Sequence, residues 1–533
     1  MFRGPQIVET DILIIGSGIA GLEAALTVSG SGRKALLISK SPVGKANNTA
    51  LAGGGFSFAA ETLSIEAHIE KTMESGRFLN DRKLVELFIR KAPAKFEELR
   101  RLGLKGIYHG GGFNCRSSAL IGGPDLTALL VRACRAAGVA FLDHIMITDF
   151  ACSEGSCCGA VGFHKKTGDV LGFRSKAVIL ATGGGGGIYG VNDNAPGTTG
   201  DGYTLCLEAG LELKDMEFVQ FYPLVYAGSG HSRMILPTAF GDAGKMINSK
   251  GEDLKEKYRL HQKPIAILCR DRLSQAFFEE VARGNGVDGA VLLDMRGADE
   301  TKMSLSKEMI SRYKARVRFD REPVKIMPAC HHTMGGVETG IDGATGLPGL
   351  FAAGEVTGGI HGANRMGGNA LSEGLVFGAV AADTACSYAD SSTGARDFSR
   401  LIDQIASGRF RNTGNSGRPE SEAVDLSKRL KSLLWEKIGI VRTRSSLLEG
   451  IEKIDEIGRL LKDAGAGSPS DFCRVLECRN AATIGKAIAL AALERTESRG
   501  AHFREDFPAE DENWRKHIHI RLERGDLRLM LVA

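Results

Sequence analysis

The sequence predicts an α/β protein in three parts: a domain with a parallel sheet, a second domain inserted into it, and a helical domain after both. Three observations carry this prediction. A strand, a glycine turn and a helix follow one another near the N-terminus, glycine-rich sequence stops and later returns, and amphipathic helices repeat towards the C-terminus. The predicted boundaries are 1–225 and 334–390 for the two segments of the first domain, 226–333 for the insertion, and 391–533 for the helical domain with its terminal hairpin.

Length and composition narrow the class of protein. At 533 residues the chain exceeds a single hydrophobic core, and its net charge of +4 comes from well-mixed acidic and basic residues, which favours neither nucleic acid nor a membrane surface. No apolar run approaches the ~18 residues that cross a bilayer, and the start, MFRGPQIVET, lacks the core of a secretory signal. The eleven cysteines lack metal-ligand spacing. We therefore expect a cytoplasmic protein without a metal site or iron–sulfur cluster of its own.

The first strand–turn–helix unit is TDILIIGSGIAGLEAAL, residues 10–26. Its glycines, Gly16, Gly18 and Gly21, have the G-x-G-x-x-G spacing of a dinucleotide-binding turn. The first glycine forms the turn, the second admits a pyrophosphate, and the third lets the helix pack on the strand. The N-terminus of the helix then faces the phosphates with its partial positive charge. The alternative is a tight βα turn without a ligand.

A second strand is predicted at 34–40. It ends in Ser39 and Lys40 and not in the acidic residue that usually binds a ribose, although Ser39 can still donate a hydrogen bond. Soon afterwards comes KANNTALAGGGF, residues 45–56, a loop poor in side chains. Such a loop lets another group approach the backbone closely.

The rest of the pattern predicts the order of further elements. They are a helix over 80–104 with a bend at Pro93, a buried strand at 177–190 that runs into glycines, a helix opened by TTGDG at 198–202, a linker at 389–396, and a β-hairpin about Gly525. Because the first domain is interrupted and then resumed, the inserted domain is expected to lie over the bound dinucleotide. Substrate is expected at the interface of the two domains.

Taken in order, the blocks of this sequence resemble the flavoprotein subunits of fumarate reductase and succinate dehydrogenase and their relative L-aspartate oxidase. The resemblance runs from Thr10 to about Arg521. It is carried by EFVQFYP (217–223), CRDRLSQAF (269–277), HHTMGGVET (331–339), AGEVTGGIHGANRMGGNAL (353–371), GIVRTRSSL (439–447) and ERTESRGAH (494–502). It implies FAD as the cofactor, and an FAD-binding Rossmann-like domain with an inserted α+β capping domain and a C-terminal helical domain.

The resemblance implies that both segments of the first domain contact FAD. In respiratory members of the family a histidine in the loop 45–56 binds the flavin covalently, and Asn48 stands at that position here. An amide has no nucleophilic nitrogen for this bond, so the FAD is expected to be non-covalent; a hydrogen bond within the turn is the simpler role of Asn48. The implied FAD-binding residues are Gly16, Gly18, Gly21, Ser39, Lys40, Asn48, Thr49, Gly53, Gly54, Ala181, Thr182, Gly183, Asp201, Glu355, Asn369, Ala370 and Leu371.

The family reaction passes a hydride between flavin N5 and a carbon β to a carboxylate, while a proton moves at the α carbon. The resemblance implies Arg270 as the proton donor, and Arg365 and His331 as the groups that hold carboxylate oxygens. Arginine is an unusual acid, and it needs neighbouring cations and a relay that returns its proton. Simpler roles are an ion pair between Arg270 and Asp271, and contact of Arg365 with an FAD phosphate.

Two positions depart from the family pattern. Tyr222 stands where dicarboxylate reductases have a carboxylate-binding histidine. After Thr238, which matches a substrate-contacting threonine, Ala239 replaces the glutamate of the proton relay. Tyr222 is expected to donate a neutral hydrogen bond to a carboxylate, or to stack on a larger apolar group. The candidate replacements for the lost charges are Asp242, His231 and Arg233.

Three functions stay open. The first is an FAD-dependent oxidoreductase at the Cα–Cβ bond of a carboxylic acid, with fumarate narrowly ahead of another enoic acid. The second is an L-aspartate oxidase-like amino acid oxidase, although HGGGFNCRSSALIGG (109–123) replaces its substrate loop. The third is an electron-relay flavoprotein inside a larger complex. By resemblance we expect the partner to be an iron–sulfur electron-transfer protein, and contact with a membrane only through such partners.

Overall fold

The computed structural model describes residues 2–60, 62–109, 112–115, 122–229, 234–303, 305, 307–392, 397–410, 421–462 and 464–532. The strands are β1 (Arg3–Glu9), β2 (Ile12–Ile15), β3 (Ala35–Ile38), β4 (Gly55–Ser57), β5 (Gly106–His109), β6 (Gly112–Cys115), β7 (Ala140–Leu142), β8 (Ile145–Ser153), β9 (Ser156–His164), β10 (Asp169–Arg174), β11 (Ala177–Leu180), β12 (Leu213–Lys214), β13 (Val219–Tyr226), β14 (Lys245–Ile247), β15 (Val291–Asp294), β16 (Val324–Thr333), β17 (Gly336–Val337), β18 (Leu350–Ala352), β19 (His517–Glu523) and β20 (Asp526–Val532). The helices are α1 (Ile19–Gly30), α2 (Asn48–Leu51), α3 (Ile65–Ser75), α4 (Arg82–Arg101), α5 (Gly123–Ala136), α6 (Asp201–Glu208), α7 (Thr238–Ala243), α8 (Leu254–Lys257), α9 (Ile265–Leu268), α10 (Arg270–Ala282), α11 (Lys307–Val317), α12 (Asn369–Ser391), α13 (Phe398–Phe410), α14 (Ser421–Ile438), α15 (Arg444–Lys462) and α16 (Pro469–Glu494).

A five-stranded parallel sheet, in the order β18-β11-β2-β3-β7, forms the centre of the first domain. Its strands include wholly apolar, fully buried runs: ILII in β2, ALLI in β3 and AVIL in β11. Continuous apolar strands of this kind are typical of parallel sheets that are covered on both faces. β18 belongs to the second glycine-rich segment and pairs with β11, so the two segments of the interrupted domain share one sheet.

Helices α1 and α12 pack against each other beside this sheet. Gly378 of α12 permits the close approach, because a Cβ there would lie 2.5 Å from the carbonyl oxygen of Ala20 in α1. α12 continues to Ser391, so the linker predicted at 389–396 is wrong at its first residues. The alanine-rich sequence before Ser391 has high helix propensity, and this outweighs the lower helix propensity of the small polar residues in the same stretch.

The inserted part of the chain builds a four-stranded antiparallel sheet, β13-β16-β15-β14, with α10 packed on it. β13 leads into the insertion and β16 leads out of it. The two strands pair side by side, with Val219 opposite Thr333 and Tyr226 opposite Ile326. This sheet therefore begins before residue 226, and it carries the residues of β13 and β16 to the junction of the two domains. The domain boundaries themselves stay a prediction.

Helices α14, α15 and α16 pack together in the C-terminal part of the chain. The tail forms the expected β-hairpin, in which β19 and β20 pair from His517–Val532 to Glu523–Asp526. β19 also pairs with β12 of the first domain. The hairpin therefore extends a sheet of the first domain, in the order β17-β12-β19-β20, and anchors the C-terminal part on it.

Several local predictions match the structure. α4 covers most of the helix expected over 80–104 and continues through Pro93, and α6 begins at Asp201 as TTGDG indicates. A further sheet, β1-β10-β9-β8, lies under α13. Among the helices of the described ranges, none combines the length and the apolarity that crossing a membrane requires.

Candidate active site

The predicted dinucleotide turn joins β2 to α1. Gly16 has a φ of 120°, and a Cβ at this position would lie 2.1 Å from the carbonyl oxygen of Ala181. A Cβ at Gly21 would lie 2.0 Å from the carbonyl oxygen of Gly16. Only glycine fits at these two positions, as the G-x-G-x-x-G interpretation requires. Gly18 is more open, because the nearest atom to a Cβ there is Thr49 Oγ1 at 3.4 Å.

The loop after β3 is tied to the start of α1. Asn47 accepts a hydrogen bond from the Ala50 N–H at 2.9 Å and so caps the single turn α2, while its amide nitrogen donates to the Ser17 carbonyl oxygen at 3.0 Å. Thr49 Oγ1 accepts from the Ile19 N–H at 3.0 Å. The interpretation as a bare loop missed α2, although an asparagine three residues before Ala50 is an N-cap signal.

Glycines border open space next to this turn. A Cβ at Gly53 or at Gly183 would meet no atom within 4 Å, and both Gly54 and Gly183 have positive φ, at 74° and 76°. Such positions let a large flat group approach the backbone, and the sequence supplies no side chain to fill the space. The crevice therefore fits a dinucleotide that carries a ring system.

Lys40 and Asp201, two of the predicted cofactor residues, pair with each other at 2.5 Å. Lys40 Nζ also lies 2.7 Å from Glu477 of α16. Their charges are therefore balanced within the protein, and the contacts connect the first domain to the helical part. Ser39 Oγ lies 3.0 Å from Ser17 Oγ, so this hydroxyl stays beside the glycine turn.

The Asn48 amide is held at both ends. Its nitrogen donates to Asn194 Oδ1 at 2.7 Å and to Glu355 Oε2 at 3.3 Å, and its oxygen accepts from the Ala195 N–H at 2.9 Å. Burial raises the pKa of Glu355, whose Oε1 accepts from the Thr333 N–H at 3.1 Å. These contacts connect the loop after β3, the second glycine-rich segment and the end of β16.

α12 starts with three predicted cofactor residues, Asn369, Ala370 and Leu371. The Asn369 side chain is enclosed, because its Oδ1 lies 2.9 Å from His68 Nε2 and its Nδ2 donates to Thr72 Oγ1 at 3.0 Å. The amide therefore fastens α12 to α3. The Asn369 N–H donates to the Met366 carbonyl oxygen at 3.3 Å, so what the start of α12 offers to a ligand is the backbone N–H groups that follow it.

Arg270 and Arg365, which we call the arginine pair, meet at one amide oxygen. Arg270 begins α10, and its Nη1 donates to Gln220 Oε1 at 2.6 Å. Nη2 of Arg365, from the loop before α12, donates to the same oxygen at 3.0 Å. The Gln220 nitrogen donates to Asn364 Oδ1 at 2.7 Å and to the Arg365 carbonyl oxygen at 3.0 Å. These two bonds fix the end of the amide that faces the arginine pair.

The arginine pair is buried and forms no ion pair with a carboxylate of the described residues. Arg270 is 5% exposed and Arg365 is 7% exposed. Among the described residues, the two guanidiniums bond only to the Gln220 amide and the Ala266 carbonyl oxygen, and Arg365 Nε has no partner. Burial and then the charge of Arg270 lower the pKa of Arg365 to about 9, and burial lowers the pKa of Arg270. Two buried cations with a free donor form a binding place for an anion.

His331 and Tyr222 lie beside the arginine pair, on β16 and β13. His331 Nδ1 lies 2.8 Å from Oδ2 of the buried Asp193, which orients the ring and leaves Nε2 for a ligand. The Tyr222 ring lies 5.6 Å from the His331 ring and 5.6 Å from Arg270 Cζ. Its hydroxyl donates to the Leu236 carbonyl oxygen at 2.9 Å. One of the two roles expected of Tyr222 required this hydroxyl to bind a substrate carboxylate, and in this structure it binds the backbone. The ring stays available for packing.

Two more imidazoles, His332 and His361, lie behind the arginine pair with their rings 5.2 Å apart. Burial and the charge of Arg365 lower the pKa of His361 to about 3 and hold that of His332 well below its usual range. Both rings are therefore neutral, and His332 Nδ1 lies 3.4 Å from Glu355 Oε1. The positive charge of the site comes from the arginine pair and not from these histidines.

Asp242 is the candidate replacement for the lost relay acid, and His231 and Arg233 are those for the lost positive charge. Asp242 lies in α7, which Thr238 and Ala239 begin, and its Oδ1 accepts from the Ile265 N–H at 2.8 Å. This bond satisfies the first N–H of α9, and no ion pair between Asp242 and Arg270 is found among the described residues. His231 and Arg233 lie outside the described residues, as does most of the segment 109–123.

Sequence reasoning missed two residues of the site, Gln220 and Asp193. Gln220 precedes Tyr222 by two positions in a strand, so both lie on the same face, and this spacing could have indicated it. Asp193 lies in the segment VNDNAPG, where no local pattern points to His331.

Comparisons with known proteins agree with this arrangement. Residues 11–371 match the FAD binding domain family, and residues 427–531 match the fumarate reductase flavoprotein C-terminal family. The chain is 34% identical to a subunit of the fumarate reductase (CoM/CoB) of Methanothermobacter marburgensis, over 96% of this chain and 97% of that one. It is 30% identical to the fumarate reductase flavoprotein subunit of Escherichia coli, over 96% and 91%. The solved quinol fumarate reductase of E. coli superposes with a TM-score of 0.89 at 28% identity, over 99% and 97%.

The cofactor and the fold class follow from these findings together. The glycine turn and the open crevice fit a dinucleotide with a ring system, and the family match over 11–371 identifies it as FAD. The predicted architecture of an FAD-binding domain, a capping domain and a helical domain is confirmed. The chain belongs to the fumarate reductase and succinate dehydrogenase flavoprotein family, as an FAD-dependent oxidoreductase that acts on CH–CH groups.

Proposed function

We propose that this chain reduces the Cα=Cβ bond of an enoic acid, with fumarate as the first candidate. The observation that carries the proposal is the arginine pair, two buried guanidiniums that share the Gln220 amide oxygen and bond to no carboxylate of the described residues. A substrate carboxylate balances this charge through charge-assisted hydrogen bonds. The relatives from M. marburgensis and E. coli are named fumarate reductases, which favours fumarate over other enoic acids.

In this proposal each side chain of the site has one task. Arg365 binds a carboxylate through its unpartnered Nε and a terminal nitrogen, and His331, oriented by Asp193, donates from Nε2. FAD, once reduced, supplies the hydride that adds to Cβ. Arg270 gives the proton that adds to Cα, and burial, which lowers its pKa, makes this proton easier to release. The double bond thereby gains one hydride and one proton.

In the same proposal the protein binds FAD without a covalent bond. The side chain at the linking position is the Asn48 amide, and both of its ends are engaged with Asn194 and Ala195. We expect acid precipitation of the holoprotein to leave all of the flavin in the supernatant. Flavin fluorescence that stays with the denatured chain would contradict this part of the proposal.

Electrons for the reaction come from a partner in this proposal, and an iron–sulfur protein is the donor that the family resemblance implies. The relatives from M. marburgensis and E. coli are named as subunits, which supports an assembly of several chains. Purification of the chain from its native source should therefore yield a complex that contains iron and acid-labile sulfide. Isolation of the chain alone, with full activity from a diffusible donor, would argue against such a partner.

The decisive experiment is oxidation of the photoreduced flavin in the absence of oxygen. Fumarate, crotonate and cinnamate are mixed with the reduced holoprotein in a stopped-flow instrument, and we expect fumarate to oxidise it rapidly. Oxidation only by crotonate or cinnamate would mean that Tyr222 and Ala239 have changed the specificity. In a separate assay of the oxidised holoprotein in air, consumption of L-aspartate with formation of peroxide would favour the amino acid oxidase. No reaction with any of these compounds would favour the electron-relay flavoprotein.

A further inference from the structure

A cleft beside α10 reaches Arg270 of the arginine pair. It measures about 250 Å³ with its open solvent space included, and it has room for about one water. Its lining includes Arg270, Gln220, Asp271, Ser274, Gln275 and Asn364. Two residues of this lining, Arg270 and Gln220, are buried and belong to the candidate active site. The cleft therefore connects solvent to the guanidinium that gives the proton in the proposed function.

Asp271 carries the carboxyl group of this cleft. Its Oδ1 accepts from the Arg272 N–H at 3.0 Å, and its Oδ2 lies 3.9 Å from the guanidinium of Arg77. The Asp271 side chain is 13% exposed and that of Arg77 is 46% exposed. Burial raises the pKa of the Asp271 carboxyl, so it holds a proton more readily than an ordinary aspartate. A group that can hold a proton therefore lies between the surface and Arg270.

The other proton-holding groups around the arginine pair have contacts elsewhere, and none of the three that follow is among the described residues that line the cleft. Asp242 caps α9, Asp193 binds His331, and the Tyr222 hydroxyl donates to a backbone carbonyl oxygen. Ala239 occupies the position of the relay glutamate that the family resemblance implies. Within the described lining of the cleft, Asp271 is the acid that remains.

We propose that Asp271 returns a proton to Arg270 after each turnover, through water in the cleft. The inference rests on the proposed function and gives it a proton path. Once Arg270 has given its proton to Cα, the neutral guanidine takes one from the Asp271 carboxyl, and the carboxylate takes one from solvent. No electron moves in this step, and each turnover consumes one solvent proton. The charged groups that face Asp271 are Arg77 after α3 and Arg270 of α10, and with the hydrogen bond from the Arg272 N–H they stabilise the carboxylate that forms.

Asp271→Asn tests this step, because the amide oxygen still accepts the Arg272 N–H but the side chain holds no acidic proton. The FAD-loaded protein is assayed with reduced benzyl viologen as electron donor and with fumarate and crotonate, in parallel, as acceptors. In the steady state we expect kcat to fall about 10²-fold with KM unchanged. In a single turnover of the prereduced protein the rate should not change, since Arg270 starts protonated. Asp253→Asn is the matched control, because Asp253 Oδ1 accepts the Lys255 N–H at 3.0 Å in the same way.

Two further measurements separate proton transfer from a structural role. Formate added to Asp271→Asn should raise its kcat, because a small acid can enter the cleft, and Asp271→Glu should keep most of the activity. The inference is overturned if Asp271→Asn turns over as fast as Asp253→Asn, or if its single turnover slows as much as its steady state. If the unsubstituted protein shows no single turnover with either acid, the proposed function fails, and this inference fails with it.

Discussion

The molecule contains two groups of buried arginines, one that is paired with carboxylates and one that, among the described residues, is not. The C-terminal arginine cluster consists of Arg495, Arg499 and Arg504, each at most 3% exposed. Arg495 lies 2.6 Å from Glu217 and 3.1 Å from Glu497, Arg499 lies 2.7 Å from Glu497, and Arg504 makes two 2.8 Å bonds to Asp506. The arginine pair of the active site is also buried but shares only the neutral Gln220 amide.

Because both groups are buried, the charges around each arginine decide whether its pKa ends above or below its ordinary value. Although burial works against the charge, the carboxylates of Glu217 and Asp215 raise the pKa of Arg495. Burial and the charge of Arg270 instead lower the pKa of Arg365 to about 9. The carboxylate partners of Arg495 lie within the chain and stabilise the fold, whereas the arginine pair, which forms no ion pair with a described carboxylate, can bind an anion from outside.

Of the proposed variants, Arg270→Ala should show most clearly that the arginine pair serves turnover and not stability. We expect turnover of fumarate to fall about 10⁴-fold, the upper range for loss of a proton donor, while FAD content and thermal stability stay unchanged. Removing one of two adjacent cations breaks no ion pair of the described residues. The measurements are steady-state kinetics, the flavin-to-protein ratio and the melting temperature.

The matched control for this variant is Arg272→Ala, two residues along the same helix, where the side chain is exposed. It should keep full turnover. Unchanged turnover in Arg270→Ala would remove its assignment as the acid, and loss of bound FAD would mean that it supports the cofactor.

Arg495→Met should have the opposite profile. It leaves the buried carboxylate of Glu217 without its ion-pair partner and removes one of the two arginines that bind Glu497. Breaking such a buried pair costs about 3–5 kcal/mol in the free energy of unfolding. Urea unfolding followed by circular dichroism measures this loss, and the kcat of the folded fraction should stay close to that of the unsubstituted protein. Arg296→Met, which removes an exposed pair with Asp294, should leave the unfolding curve where it was. Equal curves for the two variants would show that the C-terminal arginine cluster is not what holds this part together.

Gln220→Glu should make the arginine pair resemble the C-terminal arginine cluster. A carboxylate between the two guanidiniums balances their charge from within, so they bind an incoming carboxylate less well. We expect the KM for fumarate to rise about 10- to 100-fold, which corresponds to about 1.4–2.7 kcal/mol. Gln220→Met is the companion variant, because it removes the shared acceptor without adding charge, and it should lower kcat more than it raises KM. If both variants changed KM equally, the neutrality of Gln220 would have no part in binding.

The parts of this site that sequence could predict are those set by local pattern or by family motifs. The β2–α1 turn follows from strand and helix periodicity and from glycine spacing, and the motif blocks pointed to Arg270, His331 and Arg365, which the structure brings to one junction. The shared contact at Gln220 depends on the pairing of β13 with β16 and on a loop more than a hundred residues away. The direction of the Tyr222 hydroxyl depends on the Leu236 carbonyl, which no local pattern predicts.

Glu373 of α12 is a buried acid near the arginine pair that does not neutralise it. Its side chain is 2% exposed, and its Oε1 has no hydrogen-bond partner. Burial and then the charge of Glu355 raise its pKa to about 8, from an ordinary value of 4.5. Between these two pH values the folded chain keeps a proton on Glu373 that the unfolded chain has lost. The stabilisation is therefore complete below about pH 4.5 and is lost as the pH rises to about 8.

Glu373→Gln should remove this pH dependence, since the amide never ionises. The free energy of unfolding of the unsubstituted protein should fall, relative to that of Glu373→Gln, by at most about 1.4 kcal/mol per pH unit between the two pKa values. Urea unfolding of both proteins at several pH values across that interval gives the difference directly. A difference that does not change with pH would mean that Glu373 is ionised in the folded chain. Arg365 would then have an internal counter-charge after all, and the arginine pair would be balanced like the C-terminal arginine cluster and not kept for a substrate.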